Sequence, residues 1–112
     1  MRSFTVNHLW VEVNDKIAII GITNYGQDKL GDILFVNLPE IGDDLEIGQK
    51  FGDVESIKTV TDMISPVSGK ILDVNALVVD DPLLINNDAD NTWLIKVSII
   101  ELDELLTEEN DG

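Results

Sequence analysis

The chain has 112 residues, with 22 acidic side chains against 7 basic ones, one histidine and no cysteine, for a formal charge of -15. That length supports one hydrophobic core and not two, and the charge repels phosphate and anionic lipid, so nucleic acid and membrane surfaces are excluded as partners. The missing thiols exclude disulfides and thiolate metal sites.

Apolar residues make up 44% of the chain and extend from Phe4 to Leu106, the distribution of a globular protein read as one domain over residues 1–112. The first eight residues hold no apolar run followed by a small-residue cleavage site, and no later run approaches the ~18 apolar residues of a membrane span. The expectation is a cytoplasmic protein.

Short β-branched runs predict strands over Phe4–Val13, Lys16–Thr23, Ile33–Leu38, Lys50–Ser56, Thr59–Ile64, Lys70–Asn75 and Trp93–Ile99. Asn14-Asp15, Gly42-Asp43, Gly48, Pro66 and the stretch Asn86 to Asn91 punctuate them as turns. Two segments read as helices: Asn24 to Leu30, with Asn24 as the cap and Gly31 as the stop, and the acidic tail from about Glu101 to Glu109. In the tail Leu102, Leu105 and Leu106 fall at helical spacing, so one face could dock on a sheet.

An offset of 38 residues aligns Gly31–Asn37 with Gly69–Asn75 and continues through Asp43/Asp81, Leu45/Leu83 and Ile47/Ile85, giving eight identities in seventeen positions. The preserved order of glycine, apolar and turn positions points to a duplication. Two halves of a few short strands must close on each other to bury their apolar faces, which predicts a sandwich with barrel character.

Between the apolar runs that end near Val54 and resume at Val60 lies Glu55-Ser56-Ile57-Lys58, a tight hairpin with one lysine at its tip. No nucleophile, base and oxyanion donors stand together anywhere in the sequence, so the chain reads as a carrier, not an enzyme. A prosthetic group on Lys58 would supply the chemistry its side chains lack. The ordinary readings of the remaining candidates are structural: His8 at a strand end, Trp10 and Trp93 in or near the core. Asp80-Asp81 and Asp88 to Asp90 lack the spaced ligands of a calcium loop and read as turns, with no metal site.

Several ordered stretches carry a resemblance. His8-Leu9-Trp10-Val11 is similar to H-E-W-V, Ile20 to Gln27 to G-I-T-D-x-A-Q, and Leu30 to Pro39 to L-G-D-I-V-F-V-E-L-P. Val54-Glu55-Ser56-Ile57-Lys58, Ser65-Pro66-Val67-Ser68-Gly69, Asn86-Asn87-Asp88 and Trp93-Leu94-Ile95-Lys96-Val97 complete the series. Together, across nearly the whole chain, they resemble the H proteins of the glycine cleavage system, relatives of lipoyl and biotinyl carrier domains.

The resemblance implies a mainly β barrel-sandwich hybrid with one short internal helix and a short C-terminal helix. It implies lipoate in amide linkage to Lys58, with Glu55 and Gly69 presenting the lysine hairpin for recognition and His8 and Asp62 as candidates at the cleft that receives the arm. It implies glycine decarboxylase (P protein), aminomethyltransferase (T protein), dihydrolipoamide dehydrogenase (L protein), and a lipoate ligase or lipoyl/octanoyl transferase as partners of a monomer that shuttles the aminomethyl group of glycine.

Two positions depart from the family pattern. Leu9 stands where the family has a glutamate, and Asn86 to Trp93 is one residue short and lacks P-Y-G. Leu9 can accept no hydrogen bond, which motivates an alternative: an H-like lipoyl carrier used for lipoyl relay to 2-oxo acid dehydrogenases or for redox-linked modification.

Overall fold

A computed structural model describes residues 2–4, 8–102 and 107–108. The elements in chain order are β1 (Arg2–Phe4), β2 (Leu9–Asn14), β3 (Ile17–Ile22), α1 (Asn24–Leu30), β4 (Ile33–Asn37), β5 (Asp44–Leu45), β6 (Lys50–Ser56) and β7 (Val60–Ile64). There follow β8 (Val67–Val74), α2 (Ala76–Asp80), α3 (Leu83–Asn87), a 3-10 turn over Ala89–Asn91, β9 (Trp93–Leu102) and β10 (Thr107–Glu108).

The strands form two antiparallel sheets, one of seven strands in the order β10-β1-β2-β3-β9-β8-β5 and one of three in the order β4-β6-β7. Neither closes into a barrel; the open pair of sheets is the mainly β sandwich that the short apolar runs demanded. One cluster fills the space between them. Leu9, Ile20, Ile71 and Ile95 enter it from the larger sheet, Ile33, Val54 and Met63 from the smaller, and all are nearly inaccessible to solvent. Full burial of one such side chain contributes about 1.5–3 kcal/mol, so this cluster holds the sheets together.

The smaller sheet shows why its sequence alternates. In β6, Val54 and Ser56 point inward while Glu55 is exposed, which is the period of two expected of a strand with one wet face. The chain leaves this sheet at Ser65-Pro66 and enters the larger one at Val67. The buried Ser65 hydroxyl donates to the Val67 carbonyl at 2.6 Å and secures the crossing.

Helix α1 forms where the sequence placed it, but its cap is Thr23. That residue is extended, and its hydroxyl accepts the Gly26 N–H at 2.9 Å. Asn24 is already helical, and its side-chain oxygen accepts from Gln27 Nε2. The stop is Gly31, as read, at φ 78°.

Four expectations change. The acidic tail does not begin as a helix, because Glu101 and Leu102 extend β9 and pair with Ser68 and Val67, while Thr107–Glu108 pairs with β1; residues 103–106 and 109–112, which include Leu105 and Leu106, lie outside the described residues. The predicted strand Phe4–Val13 is interrupted, and β2 starts only after His8, whose φ is 67°. Residues 76–87, unassigned or read as turn, contain two five-residue helices, α2 and α3, that bury Val78 and Ile85. Finally, the internal repeat holds for the strands only: β4 and β8 lie in different sheets, and beyond them Leu45 is a buried strand residue while Leu83 is an exposed residue opening α3.

Candidate functional site

The β6–β7 turn places Ile57 and Lys58 at its two central positions, between Ser56 and Thr59. The Ser56 N–H donates to the Thr59 carbonyl at 2.8 Å. In a plain two-residue hairpin the reciprocal bond would reach the Ser56 carbonyl. Here the N–H groups of Lys58 and Thr59 both donate to the Ser56 hydroxyl, each at 3.2 Å, and that hydroxyl donates to the Thr59 carbonyl. Ser56 is 6% exposed, so one buried hydroxyl organises the whole turn.

A second support comes from the other side. The Ile57 N–H donates to the Asp32 carbonyl at 3.1 Å, which ties the turn to the segment that follows α1. Next to it stands Gly31, where a Cβ would lie 3.4 Å from Lys58 Cε and 3.6 Å from Ile57 Cγ1. Its positive φ is what favours glycine; a Cβ there would meet the lysine stem only in ordinary van der Waals contact. Lys58 itself is exposed and enters no ion pair or cation–π contact among the described residues. The arrangement is an uncommitted amine on a backbone fixed from two sides, which suits acylation by an enzyme that must grip the turn.

Glu55 is exposed, opposite Val60 on one side and Phe35 on the other. Phe35 is 60% exposed and Val60 59%, so the outer face beside the lysine is an apolar row with one carboxylate in it. Register places the next row, Asn37, Asp53 and Asp62, further from the tip.

That second row is self-contained. Lys50 Nζ lies 3.1 Å from Asp53 and 3.1 Å from Asp62, and Asn37 Nδ2 donates to Asp53 at 2.7 Å. The Asn37 hydrogen bond, followed by that from Lys50, holds the Asp53 carboxyl below the usual carboxylate range. The bonds to Asp53 and then Asp62 hold the Lys50 ammonium above the usual lysine value.

The other residues singled out in sequence lie apart from the lysine. His8 is half-buried against α1: its ring centroid is 5.3 Å from that of Tyr25, and its carbonyl accepts the Thr23 N–H. Asp62 faces Lys50, and no hydrogen bond or ion pair joins it to His8. Gly69 sits in the larger sheet, where a Cβ would overlap the Ser98 carbonyl; its nearest neighbours are β9 atoms, not the lysine turn. Leu9 is 1% exposed in the core and brings no carboxylate to any cleft. Trp10 is buried, with its indole N–H donating to the Ala89 carbonyl, in keeping with its reading as a core aromatic. Among the described residues no group of His, Cys, Asp and Glu could hold a metal ion, and no helix is long and apolar enough to cross a membrane.

Sequence reasoning missed the contribution of Gly31 and Asp32 to the lysine site. The signal available was only that Gly31 ends a helix.

Comparison with known proteins bears on this site. The family model described as Glycine cleavage H-protein matches residues 2–111. A glycine cleavage system H protein of Carboxydothermus hydrogenoformans is 46% identical over 111 residues, covering 96% of this chain and 85% of the relative. One from Thermotoga maritima is 42% identical over 113 residues, covering 97% and 91%. A crystal structure of a glycine cleavage system H protein from Mycobacterium marinum superimposes with a TM-score of 0.90 at 42% identity, over 95% of this chain and 89% of that one.

Proposed function

The chain belongs to the glycine cleavage H-protein family, and on that premise we propose that it is the lipoyl carrier of a glycine cleavage system, with lipoate attached to Lys58. The observation that carries the attachment site is the pinned turn: Lys58 is the lysine at its tip, with its backbone held by Ser56 and its neighbour Ile57 held by Asp32. The relatives favour glycine cleavage over the relay reading suggested by Leu9.

The fit of this site to lipoate rests on the exposed amine, which enters no ion pair among the described residues. Once attached, lipoate supplies a disulfide that can be opened to take up the aminomethyl unit and closed again after the unit has been passed on. The chain's own residues do the mechanical part. Ser56 fixes the direction of the turn, Asp32 prevents it from folding away from the surface, and Glu55 gives the enzymes that act on the lysine a charged landmark beside apolar Phe35 and Val60. A tethered group meets its next enzyme at an effective concentration that free diffusion would not provide.

The partners on this reading are the glycine decarboxylase, the aminomethyltransferase, dihydrolipoamide dehydrogenase and a lipoate-attaching enzyme, served by a cytoplasmic monomer that performs no catalysis itself. Intact-mass spectrometry after incubation with lipoate, ATP and a lipoate ligase tests the site. One lipoyl addition mapping to Lys58 is expected; an unmodified chain, or an addition elsewhere, refutes it.

A further inference from the structure

We propose that Asn86 is a positioning residue for Lys58, acting through the segment Gly31–Ile33; the proposal rests on the reading of Lys58 as the attachment site. Asn86 lies on α3, in a stretch that the sequence offered as a turn and as part of the Asn86-Asn87-Asp88 resemblance. Its side-chain oxygen accepts the Ile33 N–H at 2.9 Å. Its side-chain nitrogen donates to the Gly31 carbonyl at 2.9 Å and to Gln27 Oε1 at 2.9 Å. An asparagine amide offers one acceptor and two N–H donors, and here each of the three groups has a partner.

The three partners belong to the middle of α1, its C-terminal cap and the start of β4, so one side chain ties the helix to both sides of the bend. Between the two clamped residues of the bend lies Asp32, whose carbonyl accepts the Ile57 N–H. The clamped Gly31 is also the residue beside Lys58 Cε. Movement of this bend would therefore shift the turn and the floor under the lysine stem together. Among the described residues the Lys58 ammonium enters no ion pair or cation–π contact that could restore its aim. Asn86 touches neither the amine nor the acyl donor, so its effect should appear in the geometry of transfer. A misplacement of about 1 Å can cost roughly a hundredfold in rate, and a loosened bend should cost part of that.

The experiment compares the full-length Asn86→Ala, Gln27→Ala and Asn75→Ala proteins as acceptors for lipoate ligase, with two readouts: the kcat and KM of Lys58 acylation followed by mass, and amide hydrogen exchange at Ile57. Asn75 is a buried asparagine that caps α2 and donates to the Trp93 carbonyl, and so reports the cost of an equally structural loss elsewhere. Asn86→Ala is expected to lower kcat about tenfold with KM nearly unchanged, and to speed exchange at Ile57. Gln27→Ala, which removes one partner of the clamp and serves if Asn86→Ala does not fold, should lower kcat by about twofold to threefold. Asn75→Ala should leave kcat and Ile57 exchange unchanged.

Equal losses in Asn75→Ala, or unchanged kcat and Ile57 exchange in both clamp variants, overturn the proposal. Should the wild-type chain itself accept no lipoate at Lys58, the carrier reading fails, and Ile57 exchange still decides whether Asn86 governs the turn.

Discussion

Lys50 and Lys58 stand at opposite ends of the same short sheet and have opposite fates. Lys50 opens β6 within 3.1 Å of two carboxylates, whereas Lys58, beyond the other end of that strand, is exposed and enters no ion pair among the described residues. Two lysines in one hairpin are thus sorted by register alone: one is spent in an ion cluster, and the other is left available for chemistry. The backbone of the free lysine is the more elaborately fixed of the two. A functional amine needs a rigid base and an uncommitted tip.

The sharpest test of this contrast exchanges the roles. Lys58→Arg should abolish the lipoyl addition seen by intact mass, while Lys50→Arg should leave it in full; any modification of Lys50 in the first variant would break the comparison. Next in size is Ser56→Ala. It removes the acceptor of two turn N–H groups at a buried position and should cost about 1–2 kcal/mol in urea unfolding, with slower lipoylation by the ligase. Gly31→Ala forces a Cβ into a positive φ beside the lysine stem and should cost about 1 kcal/mol, again with slower acylation.

The smallest effect concerns the ion cluster. The folded Asp53 pKa lies below its unfolded value of 3.8, so its contribution to stability is present above that value and is lost as pH falls through the folded one. Lys50 is shifted upward from 10.5, so its contribution is present below that value and is lost as pH rises through the folded one. Asn37→Ala should therefore destabilise slightly near neutrality and less as pH falls through the folded Asp53 pKa, by urea titration at each pH, and should leave lipoylation unchanged. A loss of acylation in this variant would join the two regions that the structure separates.

The lysine turn was legible in sequence because every signal for it is local: a glutamate, a serine and a lysine between two apolar runs. Most strands were legible for the same reason, as short β-branched runs punctuated by turn residues. Helices α2 and α3 were not, since apolar runs as short as the four residues 76–79 carry no period that separates helix from strand. The supports under Lys58 were hidden for another reason. Gly31 announces a helix end and Asn86 announces a turn, and only the folded chain brings both to the lysine. The offset repeat gave the strands correctly, but its two glycines serve different purposes: Gly31 adopts a left-handed φ, and Gly69 makes way for the Ser98 carbonyl. Identity of residue type did not mean identity of role. The start of the tail misled because the pairing of Glu101 and Leu102 with β8 outweighs local propensity.

The hydrogen bond from Ile57 to Asp32 has one more consequence. With the peptide beneath it anchored, an arm attached to Lys58 as proposed would swing about a stationary pivot, and the freedom of its search would lie in the methylene chain. The enzymes of the proposed cycle could then each present an entrance at one radius from one point. The carrier needs no hinge of its own, and a loop lengthened at this bend would widen the sphere searched while thinning the arm's occupancy at each doorway.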